Sequence, residues 1–114
     1  MKSKIVALSK NEDFKSLLKK KKISNKYITL FFGSLENKDN KKLNISFVTK
    51  KKQIRSAVKR NKIKRRLRNI MNEAVKHLSI NLNYSYLVIA KITMLNNEYT
   101  LIKDTLFQDI KKIK

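Results

Sequence analysis

Apolar residues recur at helical spacing in the centre and at the end of the chain. Between Ser56 and Leu78 they fall at steps of three and four residues, which predicts an amphipathic helix: Ile63, Leu67, Ile70, Met71, Ala74, Val75 and Leu78. The same spacing predicts a C-terminal helix with Tyr99, Ile102, Leu106, Ile110 and Ile113 on one face. A short first helix is predicted after Asn11, with Phe14, Leu17 and Leu18 on one stripe and Lys19 to Lys22 at its end.

Three further segments have the patterns of β-strands. Tyr27 to Phe32 is β-branched or aromatic apart from one leucine, and Leu43 to Phe47 alternates apolar with polar residues. Tyr86 to Ile92 is almost continuously apolar, which predicts a central strand buried on both faces. A further short strand is possible around Lys4 to Leu8 or within Glu36 to Lys42. The predicted order is α, β, β, α, β, α, in a single domain covering residues 1–114.

The charge of the chain predicts that this small α/β domain has a polyanionic partner. The 114 residues include 29 Lys and Arg against 8 Asp and Glu, a formal net charge of +21. Such self-repulsion destabilises the folded state unless a polyanion neutralises it. Nucleic acid is the favoured partner, because neutralised phosphates release counterions, and an anionic membrane surface is the weaker alternative.

The absence of several sequence features indicates the compartment and the chemistry. No secretory signal or long apolar run is present, and there is no cysteine, so we expect a cytoplasmic protein without disulfides. His77 is the only histidine and no pair of acids suggests general acid/base catalysis, so no protein catalytic residue and no protein metal site is predicted. His77 itself is interpreted as a surface residue near the C-terminal pole of its helix.

The central helix carries the strongest concentration of charge. No acidic residue occurs from Asn40 through Asn72, whereas Lys50 to Arg68 contains eleven Lys or Arg. At about 100° per residue, the side opposite the apolar stripe receives Asn61, Lys62, Arg65 and Asn69. One edge of the stripe receives Arg60, Lys64 and Arg68, whose stems can lie on the core while their charged ends stay in water. This side of the helix is predicted to contact the polyanionic partner.

The motif at residues 60–68, Arg-Asn-Lys-Ile-Lys-Arg-Arg-Leu-Arg, resembles the central motif of the protein subunit of bacterial ribonuclease P. That family has Arg-Asn-Arg-x-Lys-Arg-x-x-Arg, so Lys62 replaces an arginine. Similar matches are Asp13-Phe14, Lys51-Lys52, Ser56-Ala57-Val58 and the strand from Tyr84 to Lys91. Departures are Arg55 for a glycine, a loop near Gln53 that is one residue longer, Asn69 for an acid, and Leu18 for an aromatic residue.

The resemblance implies a function in transfer RNA maturation. In the family, the protein binds a catalytic RNA that removes the 5′ leader of precursor tRNA with metal ions, so magnesium is expected for the holoenzyme. The implied contacts to catalytic RNA are Arg60, Asn61, Lys62, Lys64, Arg65 and Arg68. The implied lining of a leader-binding cleft is Phe14, Leu18, Phe31 and Lys52. A 1:1 complex of one protein with the RNA is expected, without a membrane partner.

The resemblance also implies the fold, an α/β (α+β) two-layer sandwich of the ribosomal protein S5 domain 2-like type. The motif helix would form a left-handed crossover between parallel strands, where general rules favour a right-handed one. Two alternatives remain open for the function: a ribosomal or other structural RNA-binding protein, and a DNA-binding regulator. For Phe14, Leu18 and Phe31, ordinary core packing remains an alternative to leader binding.

Overall fold

The chain forms one mixed β-sheet with helices on both faces. The computed structural model describes residues 5–6, 11–34, 43–78, 80 and 84–113. The strands are β1 (Ile5–Val6), β2 (Lys21–Ser24), β3 (Ile28–Gly33), β4 (Leu43–Thr49) and β5 (Ser85–Ala90). The helices are α1 (Asn11–Leu18), α2 (Ala57–His77) and α3 (Tyr99–Lys111), with a 3₁₀ turn at Ile92–Leu95. This mixed α/β architecture confirms the predicted fold class.

Strand order in the sheet is β1-β4-β5-β3-β2. Strand β4 runs parallel to both β1 and β5, whereas β3 is antiparallel to β5 and to β2. The connection between parallel neighbours β4 and β5 contains α2, as expected for a crossover. Strand β5 lies centrally and is buried along nearly its whole length, which confirms the prediction from its continuous apolar run.

Two predicted boundaries were wrong. Lys21 and Lys22 were assigned to the end of the first helix, but that helix ends at Leu18 and both lysines belong to β2. The cause is a non-local contact, because β2 pairs with β3 from Lys21 opposite Phe32 to Ser24 opposite Thr29. Lysines on an exposed edge strand oppose pairing with other chains. The last predicted strand was also too long, since Ile92 begins the 3₁₀ turn.

The predicted extra strand is confirmed at one of its two possible places. Strand β1 falls within Lys4 to Leu8, and the second possible place, Glu36 to Lys42, lies outside the described residues. The long helix confirms the central prediction closely. Ser56 caps it, since the Ser56 hydroxyl accepts the Lys59 N–H at 3.3 Å.

The main core lies between one face of the sheet and the helices α2 and α3. Alternation along the strands sends these side chains to the same face: Ile28, Leu30, Phe32, Leu43, Ile45, Tyr86 and Val88. They meet the buried stripes of the two helices: Ile63, Leu67, Ile70, Met71, Ala74, Ile102, Leu106 and Ile110. This packing fixes the orientation of α2 and leaves its opposite side to solvent.

A smaller cluster on the other sheet face holds α1. Leu17 and Leu87 are buried at its centre, and Phe14, Phe31 and Val48 pack around them while remaining half-exposed. Because α1 covers only part of this face, a partly exposed apolar surface remains beside it. Below, "the cleft" means the surface formed by Phe14, Leu18, Phe31 and Val48.

Candidate nucleic-acid interface

The exposed side of α2 presents a row of cations. Asn61, Lys62, Arg65 and Arg68 are all exposed, and we call these four residues the basic face. Within the described part of the chain, none of the three cations forms an ion pair. The only acid of α2 is Glu73, which lies beyond the basic face and pairs with Lys103 at 3.5 Å. The basic face can therefore attract a polyanion at full charge.

The start of α2 strengthens this positive potential. Its first turn contains no acidic residue, so the partial positive charge of the helix N-terminus adds to the side-chain charges. Backbone N–H groups at such a terminus can donate to phosphate oxygens. Val58, 78% exposed, lies here beside the polar residues and adds an apolar patch at the edge of the basic face.

Arg60 differs from the other motif arginines because its guanidinium contacts protein. One terminal nitrogen donates to the carbonyls of Ile54 at 2.9 Å and Arg55 at 2.8 Å. These bonds hold the loop after β4 against the start of α2, with the buried Ile54 side chain as its apolar anchor. Arg60 is half-buried, as the edge position predicted, and so is Lys64, whereas Arg68 is exposed.

The loop held by Arg60 also carries Lys52. It turns at residues 51–53, where the N–H groups of Gln53 and Ile54 both donate to the Lys50 carbonyl, at 3.1 and 3.0 Å. Arg55 adopts no positive φ, so a side chain in place of the family glycine causes no backbone strain here. Lys52 is exposed directly after the strand that contributes Val48 to the cleft. Arg60 thus links α2 to the loop that carries Lys52.

Only some of the predicted leader-binding residues pack together on this face of the sheet. Phe14 and Phe31 share one cluster, and Leu18 is 49% exposed at its border. Strand alternation explains why Phe31 is half-open while Phe32 is buried, a question that the sequence left undecided. The sequence analysis missed Val48. Because Val48 follows the core residue Phe47 on β4, strand alternation would have placed it on the opposite face, together with Phe31. Lys52 lies in the loop beyond β4 and is not part of the apolar cluster.

Two further basic residues have contacts that bind parts of the fold together. The Arg66 guanidinium donates to the carbonyls of Met94 at 3.1 Å and Asn97 at 3.4 Å, which ties α2 to the segment before α3. The Lys91 ammonium donates to the Ser24 hydroxyl at 2.9 Å and to the Asn25 carbonyl. Each joins segments distant in sequence, so local patterns could not reveal these contacts.

Comparison with known proteins agrees with this geometry. The family model described as Ribonuclease P matches residues 3–114. The chain belongs to the ribonuclease P protein family. A ribonuclease P protein component from Carboxydothermus hydrogenoformans is 33% identical over 110 residues, covering 94% of this chain and 90% of that protein. This membership confirms the resemblance inferred from the motif and the flanking matches.

Solved structures of the ribonuclease P protein family share the fold. The Staphylococcus aureus RNase P protein is similar with a TM-score of 0.74 and 25% identity, covering 94% of this chain and 93% of that one. The Thermotoga maritima RNase P protein gives a TM-score of 0.78 with 21% identity, over 96% of this chain and 98% of that one. These likenesses extend over both sheet faces, so the basic face and the cleft lie on the family scaffold.

Among the described residues, no three His, Asp or Glu side chains gather as a metal-binding group. His77 is exposed in the last turn of α2, as the sequence predicted. No helix in the described ranges is long and apolar enough to cross a membrane.

Proposed function

We propose that this chain, as the protein subunit of ribonuclease P, binds the catalytic RNA through the basic face of α2. The observation that carries the proposal is a set of exposed cations along one side of a helix whose other side is fixed in the core, with no ion pair to them from any described residue. Lys62, Arg65 and Arg68 contact phosphates, and Asn61 supplies a directional hydrogen bond to ribose or phosphate. Lys64 contributes from the half-buried edge.

Arg60 has a positioning role in this proposal besides its charge. Its bonds to the Ile54 and Arg55 carbonyls use one nitrogen, and the rest of the guanidinium can donate to RNA. The RNA on α2 and the cationic loop beside the cleft therefore keep a fixed relative position. Lys62 lacks the planar fork of arginine, so it acts here as a point charge without bidentate geometry.

The cleft holds the 5′ leader of precursor tRNA in this proposal. Half-exposed Phe14 and Phe31 offer aromatic surface on which bases stack, and Lys52 attracts the phosphates. Stacking tolerates every base, which suits a protein that must accept many precursors. Leu18 provides apolar contact without a ring where the family pattern has an aromatic residue, which weakens the stacking surface.

Cleavage in this proposal is carried out by the RNA, with magnesium bound outside the protein. The chain contributes binding and orientation, which lower the barrier by holding the substrate near the catalytic RNA. One protein binds one RNA, in the cytoplasm. Competition binding tests the assignment to RNA, because a DNA-binding regulator would also place a basic helix on nucleic acid. Structured catalytic RNA should displace the protein from duplex DNA at equal salt, and tighter binding to the duplex would contradict the proposal.

Replacing Phe31 with alanine should weaken binding of precursor tRNA that carries a leader by about fivefold to tenfold, because one stacking surface is lost. Binding of mature tRNA by the holoenzyme should not change. Affinity of both substrates for the reconstituted holoenzyme measures the effect. Phe31→Leu is the matched control for packing around Leu17 and Leu87, and it should fold normally while still losing stacking. If a folded Phe31→Ala variant keeps its full leader dependence, Phe31 serves only the core.

A further inference from the structure

A pocket of about 400 Å³ shares no lining residue with the basic face or the cleft. It lies where the turn after α1 meets the end of β3, and its lining is Lys19, Lys20, Lys21, Phe32, Gly33 and Tyr84. Phe32 faces the opposite side of the sheet from Phe31 in the cleft. A volume of this size falls within the roughly 300–1,000 Å³ range typical of small-ligand sites.

Gly33 shapes one wall of this pocket. A Cβ atom at Gly33 would lie 2.8 Å from Cγ and 2.9 Å from Cδ of Lys20, too close for a real contact. The backbone at Gly33 has no positive φ, so its conformation does not require glycine, and a side chain here would displace the flexible Lys20 stem. The aliphatic stem of Lys20 therefore lies directly over the strand.

Aromatic rings form the opposite part of the lining. The Phe32 and Tyr84 ring centroids lie 5.7 Å apart, and Tyr84 meets the buried Tyr86 edge-on at 6.5 Å. Burial, and then the neighbouring Tyr84, raise the pKa of the Tyr86 hydroxyl, so it stays neutral and adds no negative charge beneath the pocket. Phe32 is almost fully buried, whereas Tyr84 is half-exposed and offers ring surface to a ligand.

The charge of the lining is entirely positive. Lys19, Lys20 and Lys21 are exposed, none of the lining residues is acidic, and these lysines form no ion pair within the described residues. Three ammonium groups beside an aromatic surface match a ligand that carries both a phosphate and a planar ring. A carboxylate or a free phosphate would use the lysines alone and leave the aromatic surface in water.

We propose that this pocket binds one nucleotide of a single-stranded RNA, with the base against Tyr84 and the phosphate at Lys20 and Lys21. Strand β2 gives the RNA a path to it, because alternation places Lys21 on the pocket side and Lys22 on the cleft side. The site uses no residue of the basic face or the cleft. The nucleotide site can therefore be disproved without affecting the proposed function, and the proposed function can be disproved without affecting the nucleotide site.

Titration of the full ¹⁵N-labelled chain tests the pocket with three probes: inorganic phosphate, adenosine monophosphate, and a 5′-phosphorylated tetra-adenylate RNA. Both nucleotide probes should shift the amide signals of Gly33 and Tyr84, and the tetranucleotide should bind at least about fivefold tighter than adenosine monophosphate. Equal affinity for adenosine monophosphate and for the tetranucleotide would instead mean that the pocket binds a free nucleotide and not a segment of RNA. Phosphate should affect the lysines weakly and leave Tyr84 unchanged.

Two substitutions separate base binding from charge. Tyr84→Leu should lower tetranucleotide affinity about tenfold, whereas Tyr84→Phe keeps the ring and should bind normally. Lys21→Gln, at an exposed position that cannot unfold the core, should weaken all three probes, and Lys111→Gln on α3 should weaken none. The proposal is overturned if phosphate binds as tightly as adenosine monophosphate, or if the nucleotide probes leave Gly33 and Tyr84 unshifted.

Discussion

Replacing Lys62, Arg65 and Arg68 together with alanine is expected to lower the affinity for catalytic RNA on the order of 100-fold at moderate salt. The logarithm of affinity should also depend less steeply on the logarithm of salt, by about one for each lost phosphate contact. All three side chains are exposed and unpaired in the described structure, so their removal costs no internal contact. Filter binding across a salt series measures both quantities.

A matched variant removes equal charge elsewhere. Lys15, Lys76 and Lys111 are exposed in the last turns of α1, α2 and α3, and their joint replacement with alanine also lowers the net charge by three. These lysines interact favourably with the partial negative charge at the helix C-termini, so the control variant should lose slightly more stability than the test variant. If both variants lose RNA affinity equally, total charge and not the basic face determines binding.

Replacing Leu67 with alanine is expected to reduce the free energy of unfolding by about 2–5 kcal/mol, the range for large-to-small changes in a packed core. Leu67 is fully buried on the stripe of α2 that faces the sheet, in the middle of the RNA-binding motif. Denaturation by urea, followed by circular dichroism, measures the loss. At temperatures where the variant stays folded, RNA affinity should be retained, because the basic face is unchanged.

Val58→Ala is the corresponding surface control. Val58 is 78% exposed on the same helix, so its replacement should change stability by no more than about 0.5 kcal/mol. A loss below about 1 kcal/mol for Leu67→Ala would mean that the apolar stripe of α2 is not packed in the core. The helix could then expose that stripe to an anionic membrane, the alternative that charge alone left open.

The central helix could be predicted from sequence because all its signals are local. Periodicity and the uninterrupted charge agree, and the structure places α2 at Ala57–His77. Strand β2 could not be predicted, because Lys21 and Lys22 look like the end of a helix until β3 pairs with them. Pairing across the chain overrides local preference at such an edge.

The candidate site was also only partly predictable. Helical phase identified Asn61, Lys62 and Arg65 as exposed, which depends only on local geometry. The carbonyl contacts of Arg60 require the path of the preceding loop, and those of Arg66 require the position of the segment before α3. Which side of β3 stays open could not be predicted, because it depends on α2 and α3, which cover the other face. Family resemblance, not pattern, supplied the partner RNA.

Cleavage of precursor tRNA by the cognate catalytic RNA at low magnesium, with and without this protein, is the most direct measurement of the central claim. The purified chain should increase the rate of leader removal and lower the magnesium concentration required, and the Lys62, Arg65 and Arg68 triple variant should do neither at the same concentration. The control variant that lacks Lys15, Lys76 and Lys111 should retain both effects. Unchanged rate, substrate affinity and magnesium requirement on adding the folded wild-type protein would contradict the claim.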